Sequence, residues 1–179
     1  AQAPRHYLQQ QGYHATVLSL GWPIKEIKQG EGVDIQSTEH DPVLKEQIRA
    51  EYQHIGTDSG RAFNVNLWVD IMMYKIRAYY IWRGVKQSVV LLDDVRFPNE
   101  IFKFYEEFDP ATILTIRLLR DTARTEDALA RHESETALDS AMLDFDYILD
   151  NAAMSCDQKN RVIPVIFEHW QGRTSMATL

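Results

Sequence analysis

Three groups of residues in this 179-residue chain have types and spacings suited to phosphate chemistry. The first is Asp94-Val95-Arg96-Phe97-Pro98-Asn99-Glu100, directly after the apolar run Val89, Val90, Leu91, Leu92. A carboxylate leaving the tip of a strand can hold Mg2+ through water, and an arginine two residues on can grip a phosphate with a bidentate fork. The same two residues can also form an ion pair that simply ends the strand. The second group is Gln53-His54-Ile55-Gly56-Thr57-Asp58-Ser59-Gly60-Arg61. Gly56 permits a tight turn, while Thr57, Asp58 and Arg61 offer a hydroxyl, a carboxylate and a cation, a set able to read a sugar or base and anchor its phosphate. Helix punctuation explains these residues equally well, with Asp58 or Ser59 capping the next helix. The third group is Arg120, Arg124 and Arg131-His132-Glu133-Ser134-Glu135, in a polar stretch after a strand. Arginines carried by a closing lid stabilise the charge on a transferring phosphoryl group. A solvated helix with surface pairs such as Arg131 with Glu135 is the plainer explanation, and for Arg124 the favoured one. Phosphoryl transfer to a phosphate needs no general base, so His132 is assigned a structural or lid role.

These groups need a scaffold, and the apolar pattern supplies one. A helix ends at Gly12, and Thr16, Val17 and Leu18 follow as a short strand before Gly21 and Pro23. GEGVDIQSTEHD has loop composition, and Asp41-Pro42 opens a helix through Leu44, Ile48, Tyr52 and Ile55. A longer helix is marked by Val65, Trp68, Val69, Met72, Ile76, Tyr79 and Tyr80 and ends near Gly84. Trp68 lies on its apolar stripe and reads as core rather than as a base-stacking platform. Val89 to Leu92 has the signature of a parallel strand buried on both faces. Pro98-Asn99-Glu100 opens a helix with Ile101, Phe102, Tyr105 and Phe108; Ile113 to Leu119 is a further buried strand, Tyr147 to Leu149 a short one, and Val162 to Trp170 a helical tail that Pro164 interrupts. Strands alternating with helices predict an α/β fold, a parallel sheet whose ligands sit beyond the carboxyl ends of its strands.

Composition narrows the partners. With 45% hydrophobic residues, the chain is expected to form one domain over 1–179. A net charge of -7 argues against a nucleic-acid polymer and favours a small phosphorylated ligand. Cys156 is the single cysteine, which excludes an intramolecular disulfide framework and a thiolate metal cluster. No apolar run is long enough to span a bilayer, and the first residues lack the apolar core of a secretory signal. The expected location is the cytoplasm, that of the host cell if the chain is viral.

The Gly56-Thr57-Asp58-x-x-Arg61 segment, the Asp94–Glu100 strand exit DVRFPNE and the Arg131–Glu135 lid RHESE occur in the same order as in phage deoxynucleoside monophosphate kinases, which the chain resembles from about Tyr7 to Asn151. Pro23-Ile24-Lys25-Glu26, Asn64 with Trp68, and Asp150-Asn151 add weaker matches. The resemblance implies a three-layer P-loop NTPase-like fold with helices on both faces of a parallel sheet and a small lid over about 120–139. It implies transfer of the ATP γ-phosphate to a deoxynucleoside monophosphate, with ATP and Mg2+ as cofactors. Arg96 and Arg61 would then hold the acceptor phosphate, with Gln53, Thr57 and Asp58 facing the nucleoside. Asn64, Trp68 and Glu100 would join the substrate-binding set. Asp94 would serve Mg2+, Arg120 and Arg131 would be catalytic lid arginines, and His132, Ser134 and Glu135 would complete the lid. Members often pair through the long helix after the GTD segment, so a homodimer is an expectation beside a monomer. The chain departs from the family in lacking the GxxxxGK(S/T) loop that cradles ATP phosphates. The opening helix resembles the remainder of the helix that follows such a loop, which places the missing strand and loop upstream of Ala1. The alternative is a non-catalytic nucleotide-binding or oligomeric structural protein that has lost the ATP half.

Overall fold

A computed structural model describes residues 2–83, 88–119, 132–139, 143–150 and 154–176. Strand β1, His14–Ser19, pairs in parallel with β2, Ser88–Asp93, in the register His14↔Ser88 to Ser19↔Asp93. Helix α1, Gln2–Gln10, precedes β1 and is closed by Gly12, whose φ of 85° a side chain would rarely adopt. Between the two strands lie α2 (Trp22–Gly30), α3 (Ile35–His40), α4 (Pro42–Gln53), α5 (Gly60–Phe63) and α6 (Leu67–Arg83). After β2 come α7 (Pro98–Glu107), β3 (Ile116–Leu119), α8 (Glu133–Thr136), β4 (Tyr147–Asp150) and α9 (Cys156–Met176).

Alternation along the first strand pair explains its layering, because successive residues point to opposite faces. Leu18, Leu20, Val90 and Leu92 pack with Val69, Met72, Met73 and Ile76 of α6 and Phe104 of α7. Ala15, Val89 and Leu91 pack with Leu8 of α1 and Ile163, Phe167 and Trp170 of α9. The β1–β2 pair thus lies between two helical layers. Met72 and Met73, which suited an intersubunit face equally well, are buried in this intrachain core.

Strands β3 and β4 also pair in parallel, Ile116↔Tyr147 to Leu119↔Asp150. Their start is fastened by Thr115, whose N–H and hydroxyl both donate to Asp146 Oδ2, at 2.8 and 2.9 Å. Where one sheet was expected, the described residues form two two-stranded parallel sheets. β3 was expected to be a buried strand, but Leu118 is 56% exposed, and Ile148 on β4 is 62% exposed. The two residues that lead into β3 divide between the layers, Ile113 packing with the α6–α7 core and Leu114 with the α1–α9 core.

Three local expectations are corrected. The segment read as loop between Gly30 and Asp41 contains α3, because Asp34 accepts from Gln36 N–H and Ser37 N–H and Ile35 is buried. The Gln53–Arg61 segment is helical rather than a tight turn: α4 runs into a π-helical turn, His54–Ser59, and then into α5. The C-terminal helix is longer than 162–170 and contains Pro164, since packing of Ile163, Ile166, Phe167 and Trp170 outweighs one lost backbone bond. Arg120, Arg124, Arg131, Gly84 and Asn151 lie outside the described residues, as do the side chains of Glu135, Tyr80, Trp82 and Cys156. No helix among the described residues is long and apolar enough to cross a membrane.

Candidate functional site

Beyond the carboxyl end of β2, the chain turns at Asp94 with φ at +64°, a left-handed conformation that costs a non-glycine residue of order 1 kcal/mol. That turn aims the Asp94 carboxylate at Arg96, whose Nε donates to Oδ1 at 2.6 Å. The other oxygen packs against Gly21, where a Cβ would lie 2.5 Å from Oδ2. A glycine at the β1–α2 junction is therefore what admits the carboxylate. The ion pair that ends the strand is formed, and Asp94 and Arg96 are each about one-third exposed.

Glu100 fixes the rest of this exit. Its Oε2 accepts from the N–H groups of Arg96 and Phe97 at 2.8 and 3.0 Å, tying the entry of α7 to its first turn. The side chain is 4% exposed as a residue, and burial pushes its carboxyl above the usual glutamate range against the opposing pull of those two N–H groups and of Arg61. Arg61 reaches across from α5. Its Nη2 donates to Asn99 Oδ1 at 2.8 Å and its Nη1 to Val65 O at 3.0 Å, Nη1 also lies 3.7 Å from Glu100 Oε1, and its guanidinium stacks over the Phe97 ring at 3.5 Å. Burial lowers the Arg61 pKa, while Glu100 and Glu133 favour its charge. Asn99 completes the seam by donating to Val65 O and Asn66 Oδ1.

The π-helical turn is held from behind. Trp68 is buried, donates from its indole N–H to Gly56 O at 2.6 Å, and packs so tightly on Gly60 that a Cβ there would lie 2.4 Å from the ring. Its ring therefore faces protein. Gly56 in turn admits Ile24 of α2, and Lys28 of α2 pairs with Glu51 of α4 at 2.6 Å. Gln53 is buried and Thr57 half-buried. Ser59 stands at the N-cap position of α5 and makes no side-chain cap bond there. Asn64 lies on an exposed turn, where Oδ1 accepts from Asn66 N–H ahead of α6.

The RHESE segment meets this turn through His132. Its Nδ1 accepts from Ser134 N–H at 3.3 Å and lies 3.0 Å from the Ser134 hydroxyl, while its Nε2 lies 3.5 Å from Asp58 Oδ1. Ser134 is buried beneath it. The other Asp58 oxygen is 3.3 Å from His54 Nδ1. His54 was missed in the sequence, although its four-residue spacing from Asp58 was a readable signal on a helical segment. Asn99 and Phe97 were quoted without a role, because their partners lie more than 30 residues away. The structure thus brings together Asp58, Arg61, Asp94, Arg96, Glu100, His132 and Ser134.

These residues do not supply an ATP cradle, since the 179 residues contain no GxxxxGK(S/T) run. For Mg2+ they offer the Asp94 carboxylate, which is paired with Arg96, and no three His, Cys, Asp or Glu side chains among the described residues are grouped to hold a metal ion. A cavity of about 430 Å³ lined by Trp22, Gln29, Asp34, Ile35, Gln36 and His40 shares no residue with this cluster.

Over 98 residues the chain is 38% identical to "Uncharacterized protein ORF77" of Ictalurid herpesvirus 1 (strain Auburn), a match covering 55% of this chain and 40% of that protein. The chain therefore matches about two fifths of that relative's length. No protein-family model matches the chain, and no solved structure matches it.

Proposed function

We propose that the chain is the monophosphate-accepting part of a deoxynucleoside monophosphate kinase. The observation that carries this reading is the Arg61–Phe97–Asn99–Glu100 seam, which fastens the GTD segment to the strand exit bearing Asp94 and Arg96. Open parallel sheets place ligands at such strand ends. On this reading Arg96, at the rim, exchanges Asp94 for the acceptor phosphate. Arg61 shapes the wall beside it, and Thr57 and Asp58 face the nucleoside. ATP and Mg2+ are donor and counter-ion in the complete reaction, with Arg120 and Arg131 over the transferring group.

The packing of Ile113 and Leu114, just ahead of β3, into the two cores that flank β2 supports a common layered arrangement of the two strand pairs. A second reading, a nucleotide-binding or structural protein without turnover, is favoured by the Asp94–Arg96 pair and by the engagement of Arg61 in the fold.

Isothermal titration with dTMP, dGMP, dCMP and inorganic phosphate tests the reading. Binding of a monophosphate is expected, weakened roughly tenfold or more by Arg96→Ala, because a charge-assisted bond contributes about 1.5–3 kcal/mol. Unchanged affinity in that variant would reduce Arg96 to a strand-closing partner. Absence of monophosphate binding by the folded chain would overturn the proposal.

A further inference from the structure

The two histidines around Asp58 are not equivalent. Both have partners at each ring nitrogen, but His132 is 21% exposed and held by a backbone N–H, whereas His54 is 68% exposed and meets only the side chains of Asp58 and Ser59. A backbone N–H can only donate, so the Ser134 N–H at His132 Nδ1 requires a lone pair there. The imidazole proton of the neutral ring must then reside on Nε2, the nitrogen 3.5 Å from Asp58 Oδ1. An imidazolium would carry a proton at Nδ1 and lose the bond that caps α8. The Ser134 N–H bond therefore decides what His132 presents to Asp58.

We propose that His132 is a positioning residue for Asp58, holding Oδ1 through its Nε2–H so that Oδ2 is offered to a hydroxyl or N–H donor of the nucleoside, in the place that His54 occupies in the free protein. The proposal rests on the monophosphate reading above and adds to it the group that orients the nucleoside acceptor. Binding displaces an exposed side chain and leaves the half-buried one in place. Among the described residues Glu133 and Arg61 are also charged near this junction, and Glu133 favours the charge of Arg61.

His132→Asn separates the two duties of the ring. Asparagine caps a helix well but is too short to span both Ser134 and Asp58. The variant should fold as the parent does and bind the monophosphate roughly tenfold more weakly, with affinity for inorganic phosphate unchanged. Asp58→Asn should show the same selective loss, and His132→Asn should add nothing in that background. Full monophosphate affinity in His132→Asn, equal losses for inorganic phosphate, or additive losses in the double variant would each overturn the proposal. Nitrogen NMR of the ligand-free protein gives a separate reading: His132 should be the Nε2–H tautomer, and the Nδ1–H tautomer would sink the idea. The expected tautomer in a protein that binds no monophosphate would remove the nucleoside assignment with the function reading while leaving the His132–Asp58 arrangement intact.

Discussion

Glu100 accepts two backbone N–H groups and faces Arg61, yet its carboxyl remains above the usual glutamate range because lost hydration outweighs those partners. The folded state therefore holds the Glu100 proton more tightly than the unfolded chain does. The stability this gives is full below the ordinary glutamate value and is lost as pH rises through the raised one. Urea unfolding over that window should show the parent losing stability relative to Glu100→Gln; the opposite slope would contradict the assignment. Arg61→Ala should cost about 3 kcal/mol in the same assay, since it leaves the buried Glu100 without its cation and removes the Phe97 stack. Asp94 obeys a different logic. Asp94→Gly should raise stability by about 1 kcal/mol by relieving the left-handed backbone, while it strengthens phosphate binding at Arg96 by removing the carboxylate that the ligand must displace. Calorimetry and denaturation on the one variant check both halves.

Among the elements, the π-helical turn depends most on its surroundings. Gly60→Ala would drive a methyl into Trp68 and toward Ile55 O, a clash costing about 3 kcal/mol unless the turn shifts. Trp68→Phe keeps an aromatic ring but leaves Gly56 O without its buried donor, at a cost of about 1–3 kcal/mol from that lost bond, by thermal or urea unfolding. The sequence made α6, α7 and β2 legible, because a long apolar stripe, a proline at a helix start and a continuous apolar run are local signals. It did not make the π turn legible. Two glycines and an Asp-Ser pair have loop composition, and what keeps them helical is an indole twelve residues from the carbonyl it binds. α3 was hidden for a similar reason, its capping Asp34 sitting among residues typical of turns. The groups that could do phosphate chemistry were readable one by one, but the Asn99 bridge and the approach of His132 to Asp58 belong to tertiary contacts that spacing alone does not report.

At the scale of the molecule, apolar area on β3 and β4 remains uncovered, and β2 is half-buried where a central parallel strand would be enclosed. The chain is expected to bind a hydrophobic dye, and Leu118→Thr with Ile148→Thr should reduce that binding with little loss of stability. Undiminished dye binding would place the exposed surface elsewhere. Phe63 and Tyr74 are also exposed, so sedimentation over a wide concentration range tests the homodimer that the family resemblance implies; a monomer throughout would remove it. The π turn has one more consequence. Relative to an α-helix, such a turn accommodates an extra residue, and each residue of an α-helix advances the direction of its side chain by roughly 100°. A chain shortened by one residue between His54 and Ser59 could keep an unbroken helix while pointing Arg61 away from Asn99. In lineage terms, a single inserted codon is enough to have turned an ordinary helix toward the strand exit, and a single deletion is enough to turn it away.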